Sequence, residues 1–303
     1  MLATADPSTD LPPFSLARVF TAWELDPVLT VAIVWVAGAY LFGVWLLHDR
    51  GDRWPLARTV SFVVPGMGGL FFATSSGLGA YDTTLLSVHM VQHMVLSMFV
   101  PLFLALGAPV TLMLRTLRPT PRRWLLSLLH SRLAAVLSFA PLTLLLFVIS
   151  PWALYFTSWY DATLRSVPLH ELMHLHLVVV GALFFWPLVG IDPVPGRVAY
   201  PFRLLLVVLT LPFHAFLGVT IMSQDTLIGG SWYRALPMTW LPDPAADQHV
   251  AGGILWAAGD LVALVFLGVL FTQWVRASMR EARREDRRLD RLEAQAARQD
   301  PPR

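Results

Sequence analysis

Histidine is the residue in this chain whose placement could do chemistry. Seven of its nine histidines, His89, His93, His170, His174, His176, His214 and His249, fall within or at the mouths of long apolar segments. An imidazole there needs a partner, and ionisable groups among apolar helices tend to line functional interiors. His89 and His93 are four residues apart, as are His170 and His174, so each pair stacks on one helical face and can grip one ion or two adjacent ions. His176 faces elsewhere in an ideal helix. His89, His93, His170, His174, His214 and His249 therefore form the expected metal-binding set, with no catalytic residue assigned. Neutral imidazole suits copper, zinc or iron, and thioethers favour Cu(I). Met94 and Met222 are the auxiliary ligands to consider, although methionine is more often packing than ligand.

His170-Glu171-Leu172-Met173-His174 also reads as H-E-x-x-H, which on a helix can offer two zinc ligands and a glutamate that activates water. This leaves an intramembrane zinc metalloprotease as an alternative. It begins right after Pro168, where Glu171 equally suits the positive end of a helix, and no substrate-binding domain is evident. Asp82, Asp225 and Asp247 flank the same mouth and are expected to be solvated loop carboxylates that attract cations. Asp260 lies inside an apolar segment and needs hydration or a partner. Cysteine is absent, which excludes thiolate ligands, disulfides and thiol nucleophiles. Haem ligation by histidines on separate segments stays open. No nucleotide-binding glycine motif and no nucleic-acid-binding module is present.

The elements that must position these side chains are membrane helices. The 303 residues are 56% hydrophobic and 14% charged, outside the range of a soluble domain. Apolar stretches at 27–47, 60–80, 85–114, 133–156, 172–189, 204–222 and 250–275 predict an all-α, polytopic protein with seven transmembrane helices. All 22 basic residues are arginine, and 19 of them fall after spans one, three, five and seven, against three on the opposite side. That bias predicts an external N terminus and a cytoplasmic C terminus. The resulting organisation is an external segment at 1–26, a membrane domain at 27–275 and a charged, partly helical cytoplasmic tail at 276–303. Residues 1–26 carry four acidic side chains and are not expected to be a cleaved leader.

With alternating spans, the seven histidines gather near the external surface, whereas His48 and His130 fall at the opposite interface. The proline-containing connection at 223–248, with Trp232, Tyr233 and Trp240, is placed to lid the site. Gly66 to Gly69 beside Pro65 indicates close helix packing more than a hinge.

His89-Met90-Val91-Gln92-His93-Met94, Leu106-Gly107-Ala108-Pro109, Phe185-Trp186-Pro187-Leu188, Pro212-Phe213-His214 and Asp247-Gln248-His249 before Gly252-Gly253 carry a resemblance to the CtaG family of caa3-type cytochrome c oxidase assembly factors. The resemblance implies a multi-pass protein of the bacterial plasma membrane, a metallochaperone or assembly factor more than an enzyme. Its cargo would be copper as Cu(I), with zinc as the alternative, taken from an external copper donor and passed to oxidase subunits, with membrane lipids around it. A metal transporter and a metal-free assembly protein are the competing readings.

Overall fold

The computed structural model describes residues 11–195 and 198–299. Its principal helices are α1 (Pro27–Asp49), α2 (Leu56–Ser75), α3 (Gly77–Tyr81), α4 (Leu86–Thr116), α5 (Ala140–Tyr155), α6 (Trp159–Arg165), α7 (Val167–Val189), α8 (Tyr200–Ser223) and α9 (Pro244–Gln299). The fold is all-helical among the described residues. Six of these helices, α1, α2, α4, α7, α8 and α9, are long and apolar enough to cross a membrane. The remaining expected span, at 133–156, differs: α5 breaks at Phe156 and turns by 65° into α6, and the two are long and apolar enough for a span only when taken as one bent unit. The broad outward display of Val31, Trp35, Phe42, Leu205, Phe216, Leu261 and Val265 fits helices solvated by lipid tails rather than water.

Local sequence explains the irregular helices. Pro65 lacks an N–H and cannot complete the regular ladder, and the chain absorbs it in a π-helical turn, Phe62–Gly68. A second π-helical turn, Val95–Phe99, follows His89 and His93 in α4. It widens the helix where α7 comes closest: a Cβ on Gly181 would lie 2.0 Å from the Ser97 carbonyl oxygen. Only glycine permits that approach, and it brings the helix bearing His170 and His174 against the helix bearing His89 and His93. Gly218 of α8 and Gly252 of α9 do the same for the second pair, each with the other's carbonyl oxygen 2.6 Å from where a Cβ would sit.

The core lies between α4, α5, α7, α8 and α9, where Met90, Met94, Met98, Leu154, Met173, Phe184, Phe185 and Leu217 pack together. A separate cluster ties α1 to α2 and the far end of α4 through Tyr40, Phe62 and Leu112. The arginine-rich segment after residue 275 continues α9 without a break to Gln299. The amphipathic piece around Trp124 forms the short exposed helix Pro119–Leu129.

Candidate metal centre

Asp82 sits in the connection between α3 and α4, and only 3% of its surface is exposed. It was expected to be a solvated loop carboxylate. The fold instead closes α7 over it: His170 Nε2 donates to Asp82 Oδ2 at 2.9 Å, and His174 Nε2 lies 3.5 Å from the same oxygen. One ligand atom from each of Asp82, His170 and His174 lies within 4.8 Å of the others, close enough to hold a metal ion. Burial alone would raise the Asp82 carboxyl, but the charges and hydrogen bonds of His170 and His174 outweigh it and hold the group well below the usual carboxylate range.

Gln92 completes the cluster. It is fully buried on α4, donates to Asp82 Oδ2 at 2.9 Å and to the Ala73 carbonyl at 3.0 Å, and turns its Oε1 toward His174 Nε2 at 3.1 Å. Glu171 lies on the other side of His174, with Oε2 3.4 Å from Nδ1. Both nitrogens of His174 thus face acceptors. That arrangement is satisfied by a doubly protonated ring, or by a metal ion in place of the proton on Nε2 while Glu171 holds the proton on Nδ1. A cleft of about 390 Å³ opens over the group, lined by Glu24, Asp26, Glu171, Thr163 and Trp232 among others. Its carboxylates favour a cation at the entrance. Trp232, from the connection expected to lid the site, donates its indole N–H to the Thr83 carbonyl and forms one wall.

The other sequence-predicted residues part company here. His89 and His93 are buried beside the group but turn to a different partner, Tyr155, whose Oη lies 3.1 Å from His89 Nε2 and 2.7 Å from His93 Nδ1. His214 is buried against Phe147 and Gly259, and shares a small cavity with His93, Ser97 and Ser150. His249 is exposed on the first turns of α9, and no hydrogen bond or ring contact joins it to the other histidines among the described residues. Its neighbours do structural work instead. Asp247, also expected to be solvated, accepts from the Ser87 N–H and hydroxyl and caps the start of α4, while Gln248 ties residues 221, 224, 226 and 228 together. Asp225 is exposed as expected. His176 pairs with the Ser150 hydroxyl, and Asp260 accepts from the Trp256 indole four residues earlier on its own helix. Met90, Met94, Met98 and Met173 are in the apolar core, and Met222 packs on Gly252.

Three residues of this region carried no ligand assignment from sequence: Asp82, Gln92 and Tyr155. Gln92 had a readable signal, since it lies three residues beyond His89 and a buried amide in an apolar helix demands partners. Tyr155 had none, because its hydroxyl meets the histidines only once α5 is packed against α7 and α8.

A family model described as cytochrome c oxidase caa3 assembly factor (Caa3_CtaG) matches residues 38–277. An uncharacterised protein of Mycobacterium bovis and one of Mycobacterium tuberculosis are each 42% identical over 285 residues, and one of Mycobacterium leprae is 39% identical. Each alignment covers 92% of this chain and 43% of the relative, so the chain spans less than half the length of the curated relatives it matches. No solved structure matches it. The chain belongs to the family of cytochrome c oxidase caa3 assembly factors.

Proposed function

We propose that this member of the caa3 oxidase assembly-factor family takes up copper at Asp82, His170 and His174 and hands it to an oxidase subunit during assembly. The single observation that carries the reading is the convergence of one carboxylate and two imidazoles, buried yet lying at the floor of an acidic cleft. Copper is here the cargo. Three protein donors leave a coordination position open, which exchange between donor and acceptor requires. The cleft gives the partner access to that position.

The donors are two nitrogens and one carboxylate oxygen, with the methionine sulfurs packed elsewhere. Such a set favours Cu(II), or Zn(II) as the alternative cargo, over the Cu(I) that thioether ligation would select. In this reading the arginine-rich ends of the spans face the cytoplasm, the cleft faces the external side of a bacterial plasma membrane, and the charged end of α9 extends inward. α5 and α6 then serve as one bent span, making seven. An external copper donor and the oxidase would meet the cleft from the same compartment.

The placement of Glu171 disfavours proteolysis. A metalloprotease glutamate must reach the metal-bound water, whereas Glu171 contacts Nδ1 of His174, the nitrogen turned away from Asp82 and Gln92. It orients the ligand. The test is equilibrium dialysis of the purified full chain against Cu(II), beside His170→Ala/His174→Ala. The affinity of the ion held at Asp82, His170 and His174 is expected to fall by about 1000-fold, about 4 kcal/mol, in the double variant, and cells carrying it should accumulate oxidase that lacks copper. Equal binding by both proteins would sink the proposal.

A further inference from the structure

The geometry points to a second metal station one step deeper, formed by His89, His93 and Tyr155. It rests on the copper-carrier reading above and extends it from one ion to two. Tyr155 Oη lies 3.1 Å from His89 Nε2 and 2.7 Å from His93 Nδ1, so two imidazole nitrogens meet on one oxygen, with the rings more widely spaced, at 6.4 Å between centroids, than the 4.5 Å of His170 and His174. All three residues are buried. They come from α4 and α5, so the station shares no ligand with the outer group.

Two further observations separate it from a simple hydrogen-bonded chain. His89 Nδ1 is buried without a hydrogen-bond partner, and the His89 ring stands 6.4 Å from both the His170 ring of the outer group and the His93 ring. His93 also lines a cavity of about 10 Å³ with Ser97, Ser150 and His214, room for one water that could serve as a further donor. Imidazole and phenol oxygen are ligands for Cu(II) and Zn(II). As the ion binds, the Tyr155 oxygen–metal bond forms and the phenol proton is released to solvent, leaving phenolate. Two stations within one histidine row allow an ion to shift inward and clear the cleft before the partner docks.

The full chain in detergent micelles, dialysed against Cu(II) chloride, should retain two copper ions. Tyr155→Phe, which removes only the hydroxyl, should retain one, and so should His93→Asn, which keeps a donor for the Tyr155 hydroxyl. A visible phenolate-to-Cu(II) charge-transfer band should persist in His170→Ala/His174→Ala and vanish in Tyr155→Phe, a signature that a purely structural tyrosine would not move. One ion in the wild type, lost in His170→Ala/His174→Ala and unaffected by Tyr155→Phe, would overturn the second station and leave the carrier reading standing. No copper in the wild type would overturn both.

Discussion

Two buried carboxylates lie at opposite ends of α7, Asp82 against its first turns and Asp192 past its last, and they do different things. Asp192, just beyond its C-terminal end, accepts from the Val110 and Thr111 N–H groups at 3.2 and 2.7 Å, from the Thr111 hydroxyl at 2.6 Å and from the Trp186 indole at 3.0 Å. Those N–H groups belong to the first turn after Ala108, whose positive φ of 51° restarts α4 behind Gly107, so Asp192 caps a broken helix from outside it. Its partners are fixed donors that no ion can replace. Asp82, packed against the N-terminal turns of α7, is held by His170, His174 and Gln92, of which the two imidazoles can exchange a proton for a metal. Burial of an acid therefore says little about function by itself; the chemistry of what surrounds it decides.

Breaking each acid should sharpen that contrast. Asp192→Ala leaves four donors without an acceptor and should cost about 3 kcal/mol of stability, read as a lower melting temperature in detergent, with copper affinity unchanged. Loss of copper binding in folded Asp192→Ala would collapse the distinction. Asp82→Asn should lower copper affinity by roughly 100-fold, about 2.7 kcal/mol. Because the folded state holds the Asp82 carboxyl below its ordinary value, its stabilisation is fully present above the unfolded value of about 3.9 and is lost only as pH falls through the lower folded value. The stability difference between wild type and Asp82→Asn should accordingly not shrink from pH 7 down to about 4.5, and it should grow as His174, whose charge Asp82 favours, protonates; a difference that faded between pH 7 and 5 would contradict the geometry.

Gln92→Ala removes the amide that orients both Asp82 and His174, and should weaken copper by about 10-fold without abolishing it, measured by competition with a chelator of known affinity. The smallest effect belongs to His249→Ala. It should leave copper affinity within about 2-fold of wild type, since surface changes away from such features fall within about 0.5 kcal/mol; a larger loss would return the exposed histidine to the site.

Much of the fold was legible because a bilayer imposes its length on apolar runs. The stretches at 85–114, 172–189, 204–222 and 250–275 correspond to α4, α7, α8 and the apolar part of α9. The stretch at 133–156 corresponds to α5 only from residue 140 on, and hydropathy, which carries no direction, cannot register the 65° turn into α6 after Tyr155. At the site, the four-residue spacing of His170 and His174 put both rings on one face, and their ring centroids are 4.5 Å apart. His249 shows the limit of the same logic: lying at the right end of the right helix does not choose the face, and the start of α9 turns Asp247 and Gln248 inward and His249 out.

By itself the amino-acid order determined the helical class, the apolar lengths, the arginine asymmetry and the histidine pairs, because each is a property of one segment and its solvent. Which oxygen each imidazole would meet was decided only by the tertiary structure. Asp82, Gln92 and Tyr155 join the histidines through contacts spanning 62 to 88 residues of chain. They depend on the close approach that Gly181 permits beside a π-helical turn, and no periodicity within one helix encodes the face that its neighbour presents.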